Sequence, residues 1–251
     1  MELKNLISDG EKVQVYESDG KCIKVFKDEN EPKSVVMYEA LVHTRVEETG
    51  FARIPSLESV EQVNGKWCIV YEHVRGRNLN ELIQENPSMK MDFLEKMADI
   101  HMEINALPCV KMSSQQDYFK RAIRSLDMID DVKKHELLTR LSKLSVQKKL
   151  CHGDFTSENI IVGENGEMYV VDWLRAKQGT PAADVAKTYL GFCIRHRTES
   201  AEQYLRIYCR KTGLDANAVY DWLPVVAASQ LKFRQPKERE LLLTWIDLTD
   251  Y

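Results

Sequence analysis

The feature that most limits how this chain can fold is a short hairpin pattern near its middle. Ile160-Ile161-Val162 is a β-branched run, and Met168-Tyr169-Val170-Val171 is a second apolar run. Gly163-Glu164-Asn165-Gly166 between them is rich in turn formers. Two such runs around a Gly- and Asn-containing loop predict an antiparallel hairpin. Asn159 enters its first strand and Asp172 leaves its second. Those two positions then lie side by side at the open end. An amide and a carboxylate there suit a hard cation, which takes oxygen ligands from few side chains and completes its shell with phosphate and water.

Around the hairpin the chain separates into a strand-rich part and a helix-rich part. Before residue 75, Val13-Gln14-Val15-Tyr16 alternates, Glu17-Ser18-Asp19-Gly20 is a turn, and Cys22-Ile23-Lys24-Val25-Phe26 is the next strand. A helix is predicted from Ser34 to Glu48, with Pro32 just before its start. Val60–Val63 and Trp67–Tyr71 flank Asn64-Gly65, a second hairpin with the favoured turn dipeptide. A connecting strand should run from Tyr71 to Gly76. Beyond Asn78 helical spacing dominates: 92–107, ended by Pro108, then segments near 115–127, 131–145, 182–196, 199–212, 216–229 and 236–248. The expectation is an α+β chain of two lobes, residues 1–75 and 76–251.

Bulk properties exclude several classes. A net charge of −4 over 251 residues, with basic residues scattered, leaves no nucleic-acid footprint. No apolar run is long enough to cross a bilayer, and the polar start Met1–Asn5 gives no leader, so a cytoplasmic protein is expected. Six dispersed cysteines, Cys22, Cys68, Cys109, Cys151, Cys193 and Cys209, form no C-x-x-C pair and read as free thiols.

Upstream of the hairpin stands His152-Gly153-Asp154-Phe155-Thr156-Ser157-Glu158-Asn159, and its end is Val170-Val171-Asp172-Trp173. The spacing H-x-D-x-x-x-x-N followed by a strand-borne Asp is that of kinase catalytic loops. The form H-G-D-F-x-x-x-N with V-D-W resembles the aminoglycoside phosphotransferase and choline kinase-like family. Protein kinases usually carry Arg after the His and Gly soon after the metal Asp, where this chain has Gly153 and Trp173-Leu174.

The resemblance implies a bilobal protein-kinase-like fold, small β-rich lobe first. It implies a nucleotide, ATP or GTP, with Mg2+ held by Asn159 and Asp172. Asp154 would be the catalytic base, and the substrate a small molecule bearing a hydroxyl. Lys24 on its strand matches the lysine under the phosphates, and Glu39 the helix glutamate that holds it extended. Strand alternation points Lys27, the competitor, to the opposite face. Glu72 C=O and Val74 N–H would read adenine in the interlobe linker, with Tyr71 behind them. Asp184 matches the acid that braces the catalytic loop, while Thr180 replaces another acid usual in the family. His152 and His101 are read as structural, and Cys151 as packing. The glycine loop is sparse: Ser8-Asp9-Gly10-Glu11-Lys12 holds one glycine, with Ser8 a candidate phosphate contact.

The acceptor is left open. Aminoglycosides are polycations and call for an acidic pocket, yet segment 184–251 balances nine Asp/Glu against ten Lys/Arg. Glu199, Glu202, Asp247, Asp250 and the Tyr251 carboxylate are candidate contacts. A choline-like amino alcohol, a sugar or another antibiotic also fits. A nucleotide-binding pseudokinase is the non-enzymatic alternative, and a protein kinase lacks support in the absence of an activation segment.

Overall fold

The computed structural model describes residues 2–109 and 111–247, which divide into two compact units. One consists of residues 1–85 with 157–174, the other of 86–156 with 175–251. The chain therefore passes from the second unit to the first and back within the motif-bearing segment.

The first unit is built on a five-stranded antiparallel sheet, β1 (Asn5–Asp9), β2 (Val13–Ser18), β3 (Lys21–Phe26), β4 (Leu57–Val63) and β5 (Lys66–Glu72), in the order β1-β2-β3-β5-β4. Two tight turns are set by sequence. Asp19-Gly20 and Asn64-Gly65 all have positive φ, the conformation a two-residue hairpin turn demands. Period-2 alternation sorts β3 onto two faces. Ile23 and Val25 pack with Val63 and Cys68 on one. Phe26 and Ile69 pack on the other against Val36 and Ala40 of helix α1 (Lys33–Glu47). Full burial of a side chain such as Ile23 or Ile69 stabilises by about 1.5–3 kcal/mol. Lys24 shares the helix-facing side with Phe26, which sets up the ion pair described below.

The predicted connecting strand is shorter than expected. β5 ends at Glu72 because β3, its partner, begins opposite at Lys21 and offers nothing further along; the Arg75 carbonyl instead accepts from the Glu164 N–H at 3.0 Å. At Gly76 the chain enters β6 (Gly76–Asn78), then helix α2 (Leu79–Glu85). β6 pairs with the first strand of the central hairpin, so Gly76 faces Gly163 and Asn78 faces Ile161. A Cβ at Gly76 would collide with the Val162 carbonyl.

The second unit carries α3 (Lys90–Ala106), α4 (Gln115–Arg124), α5 (Asp131–Lys143) and the strand β7 (Lys149–Cys151). The hairpin strands β8 (Ile160–Gly163) and β9 (Met168–Val170) follow, in the first unit. Back in the second come β10 (Lys177–Gly179), α6 (Pro181–Ile194), α7 (Thr198–Thr212), α8 (Ala216–Tyr220), α9 (Leu223–Gln230) and α10 (Pro236–Ile246). β10 pairs antiparallel with β7. α9 is buried all round and α6 nearly so, the pattern of central helices. The single helix predicted over 216–229 is two. Pro224, which has no N–H to donate, opens α9 instead of continuing α8. All six cysteines are free, four of them buried. Among the described residues no helix is long and apolar enough to cross a membrane.

Candidate functional site

In the first unit, strand alternation delivers Lys24 to α1. Its Nζ lies 2.6 Å from Glu39 Oε1 and 3.4 Å from Asp172 Oδ1. Glu39 is buried, with 5% of its side chain exposed, whereas Asp172 is 44% exposed. Burial opposes the Lys24 charge, but Asp172 and Glu39 outweigh it and raise the ammonium above its ordinary value. Burial also raises the Glu39 carboxyl, with Lys24 pulling the other way. Lys27 goes elsewhere, 2.6 Å from Asp9.

The central hairpin forms as predicted. Ile160 pairs with Val170, and the Val171 N–H donates to the Asn159 carbonyl at 3.0 Å. Asn159 and Asp172 thus stand at its open end. Asp172 has φ of 61°, uncommon outside glycine and costly to hold. Its surroundings are well fixed: the buried Trp173 indole donates to the Val170 carbonyl at 2.9 Å and meets Phe51 edge-on. The Val170 N–H in turn donates to the Arg53 carbonyl at 2.8 Å.

Other expected nucleotide contacts also lie in the first unit. Glu72 ends β5, where its N–H donates to the Ser56 carbonyl at 2.9 Å. Val74 lies in the irregular segment between β5 and β6. Tyr71 is packed against His43, ring centroids 4.8 Å apart. Ser8 and Asp9 are not in a loop but in β1, a strand too short and exposed to show alternation in the sequence. The turn after it is Gly10–Lys12, closed by Gly10 N–H to Val13 carbonyl at 3.0 Å.

In the second unit, the loop 152–156 is hung on α6. Asp184 Oδ2 accepts from the His152 N–H at 2.7 Å, and Oδ1 from the Gly153 N–H at 2.8 Å. Its Oδ2 also meets His101 Nε2 at 2.9 Å and Asn105 Nδ2 at 3.3 Å. An ionised carboxylate can only accept, so His101 Nε2–H donates to Asp184, while Nδ1 shares a hydrogen bond with the Tyr204 hydroxyl. Burial would raise the Asp184 carboxyl, but the His101 hydrogen bond, the nearby histidines and the Gly153 amide hold it down at about 2. Further along, Thr188 Oγ1 donates to the Phe155 carbonyl at 2.9 Å. Gly153 has φ of 76°, and a Cβ there would strike the Arg175 carbonyl, so no other residue fits. His152 turns inward, its Nδ1 accepting from the Asp154 N–H at 3.1 Å. Cys151 is buried, and burial pushes its thiol well up, which removes it as a nucleophile. The Thr180 hydroxyl accepts from the Gln147 N–H and donates to the Ser145 carbonyl.

Asp154 sits at the turn of that loop, 28% of its side chain exposed, with Arg175 Nε 3.8 Å from Oδ2. Burial would raise its carboxyl, yet Lys187, Arg175, His152 and Arg234 together bring it below the ordinary range. Arg175, Lys187 and Arg234 had no sequence signal, since they come from three separate segments. The acidic candidates lie otherwise. Glu199 pairs with Lys90, Glu202 accepts from Tyr189, and Asp247 lies 3.5 Å from Lys133. Asp250 and Tyr251 fall outside the described residues.

The sequence profile of the phosphotransferase enzyme family matches residues 9–223. The chain belongs to that family. It is a phosphotransferase, and its fold is the protein-kinase-like one of solved relatives. A thermostable mutant of the aminoglycoside phosphotransferase APH(4)-Ia aligns with a TM-score of 0.68 at 17% identity, covering 98% of this chain and 93% of that one. Choline kinase LicA from Streptococcus pneumoniae gives 0.68 at 14% identity, covering 98% and 93%. A choline/ethanolamine kinase family protein from Mesorhizobium loti gives 0.66 at 12% identity, covering 99% and 89%. No protein in the curated set matches the sequence.

Proposed function

We propose that this phosphotransferase moves the γ-phosphoryl group of ATP, with Mg2+, to a hydroxyl of a small molecule. The observation that carries the reading is the Lys24 ammonium held between buried Glu39 and half-exposed Asp172. A buried carboxylate spent on fixing a lysine has a purpose when that lysine must meet phosphate oxygens. A residue 1–75 nucleotide lobe and a 76–251 catalytic and substrate lobe belong to the same reading, as does adenine contact at Glu72 and Val74. Related support comes from an aminoglycoside phosphotransferase relative solved with ADP and hygromycin B. A cytoplasmic location fits an ATP-using chain with six free thiols.

The donor set suits magnesium. Asn159 and Asp172 offer an amide oxygen and a carboxylate at one end of a ribbon. A two-ligand site completed by phosphate and water matches that chemistry. When bound, the ion supplies charge neutralisation on the phosphates. Lys24 adds a fixed positive charge. Asp154, ionised throughout the neutral range, orients the acceptor hydroxyl and takes its proton as the new bond forms. Asp184 holds the loop still while this happens, so the base needs no reorganisation.

The test is ATP consumption across aminoglycosides, amino alcohols, sugars and nucleosides, with Asp154→Ala as blank. Turnover should fall by about 10²–10⁴ in the variant. Undiminished transfer would remove Asp154 from its role, and tight ATP binding with no transfer to any acceptor would point to a regulator.

A further inference from the structure

The loop bearing Asp154 runs alongside α6, and that contact gives the acceptor side a definite electrostatic character. Asp184, in the helix's first turn, holds residues 152 and 153. Thr188, one turn on, holds Phe155. Gly191 comes next, with the Thr156 methyl 3.8 Å from where its Cβ would be. Lys187, Gly191 and Arg195 follow at helical i,i+4 spacing, a row about 12 Å long from first to last. The Arg195 guanidinium is anchored on the Gly191 carbonyl at 3.0 Å.

A second segment adds to this row. Arg234, just beyond α9, is held by Gln230 Oε1 at 2.8 Å, and only 21% of its side chain is exposed. The same Gln230 is buried, and its Nε2 has no hydrogen-bond partner. A buried amide N–H left open beside an arginine is a donor waiting for an acceptor. The cations acting most strongly on Asp154 are Lys187, Arg175 and Arg234, while Arg234 itself is paired with Glu238 at 3.7 Å and feels Asp154 before it feels Arg195 and Arg175. Burial pushes Lys187 down to about 8, so it is still mainly cationic at neutral pH but poorly hydrated. A polycation or a quaternary ammonium would meet repulsion here.

Resting on the phosphotransferase reading above, we propose that the acceptor alcohol itself carries an anionic group, a carboxylate or phosphate, bound by Lys187, Arg195 and Arg234. Lys187, Arg195 and Arg234 belong to the same unit as Asp154, whereas Lys24, Glu39, Asn159 and Asp172, assigned to nucleotide and metal, belong to the other, which is why the anion is assigned to the acceptor and not to the nucleotide.

The experiment uses the full chain with Mg-ATP and acceptors matched in shape: glycerol, glycerate and glycerol 3-phosphate; glucose, glucosamine, glucuronate and glucose 6-phosphate; and ethanolamine. An anionic member should exceed its neutral and cationic partners at least tenfold in kcat/KM. Arg195→Gln and Arg234→Gln should each raise its KM about tenfold, the loss of one charge-assisted hydrogen bond. The KM for ATP should move less than twofold. A best acceptor that is neutral or cationic, or a rise in the KM for ATP in place of the acceptor's, would overturn the inference. If no acceptor turns over, the phosphotransferase reading is what fails. Calorimetric titration of glycerol 3-phosphate into protein saturated with ADP then decides the anion site separately. Binding weakened at least tenfold in the Arg195→Gln/Arg234→Gln double variant sustains it, and equal or absent binding in the wild-type chain refutes it.

Discussion

Asp184 and His101 meet at 2.9 Å in a place neither solvent nor substrate reaches, with 1% and 0% of their side chains exposed. The carboxylate collects two side-chain and two backbone donors there, and the backbone pair belongs to the loop that carries Asp154.

Because the folded Asp184 carboxyl sits near 2, below its ordinary 3.8, its charge stabilises the fold fully above about pH 4. That contribution, of order 2 kcal/mol, should drain away as pH falls through 2. Urea unfolding of wild type and Asp184→Asn at pH 6 and at pH 2.5 checks this. The gap between them should be largest at pH 6 and shrink at the lower pH; a constant gap would contradict it.

Gly153→Ala should be disproportionately harmful. The new methyl group meets the Arg175 carbonyl, and φ of 76° is unfavourable for alanine. A loss of about 2–4 kcal/mol is expected from strain and overpacking together. Denaturant midpoints measure it, and a change under 1 kcal/mol would show that the loop moves freely.

Asp172→Asn separates function from stability. The side chain is half exposed, and asparagine tolerates the positive φ. Unfolding free energy should shift by no more than about 1 kcal/mol. Magnesium-dependent turnover should drop below detection, read by ADP release across a magnesium titration.

Lys24→Met should lower kcat/KM for ATP by about 10²-fold, the scale of losing one preorganised charge contact. It also strands the buried Glu39 carboxylate. Glu39→Gln added to Lys24→Met should recover stability without recovering activity, which distinguishes the two roles.

The acid limb of the kcat/KM profile should lie below the usual carboxylate range, since Lys187 and its neighbours favour ionised Asp154. Lys187→Met should move that limb to higher pH. A limb that stays where it was would mean another cation sets it.

How much of this was legible beforehand depended on the distance over which each feature is encoded. The strand under Lys24 and the helix under Glu39 sit in local patterns of period 2 and 3.6, though only the family resemblance singled out those two residues, and the Asn64-Gly65 turn and the hairpin 160–170 announce themselves by their turn residues. β1, β6, β7 and β10 have five residues or fewer and exist through pairing with partners, too short for any periodicity. The network of Asn105, Tyr204 and Tyr208 was invisible for a related reason. Tyr208 bonds Asn105 from 103 residues away, and nothing nearby in the chain marks either one. The cations around Asp154 likewise come from segments that a helical reading leaves as ordinary surface charge.

The excursion of residues 157–174 into the first unit constrains how the molecule is made. β6 has no partner strand, Arg53 no amide to accept and Phe51 no indole to rest on until that ribbon has been synthesised. An emerging nascent polypeptide therefore cannot complete its N-terminal half first and its C-terminal half later. Closure of the smaller body must wait for sequence that lies beyond the start of the larger, and a fragment cut at residue 85 should remain incompletely folded.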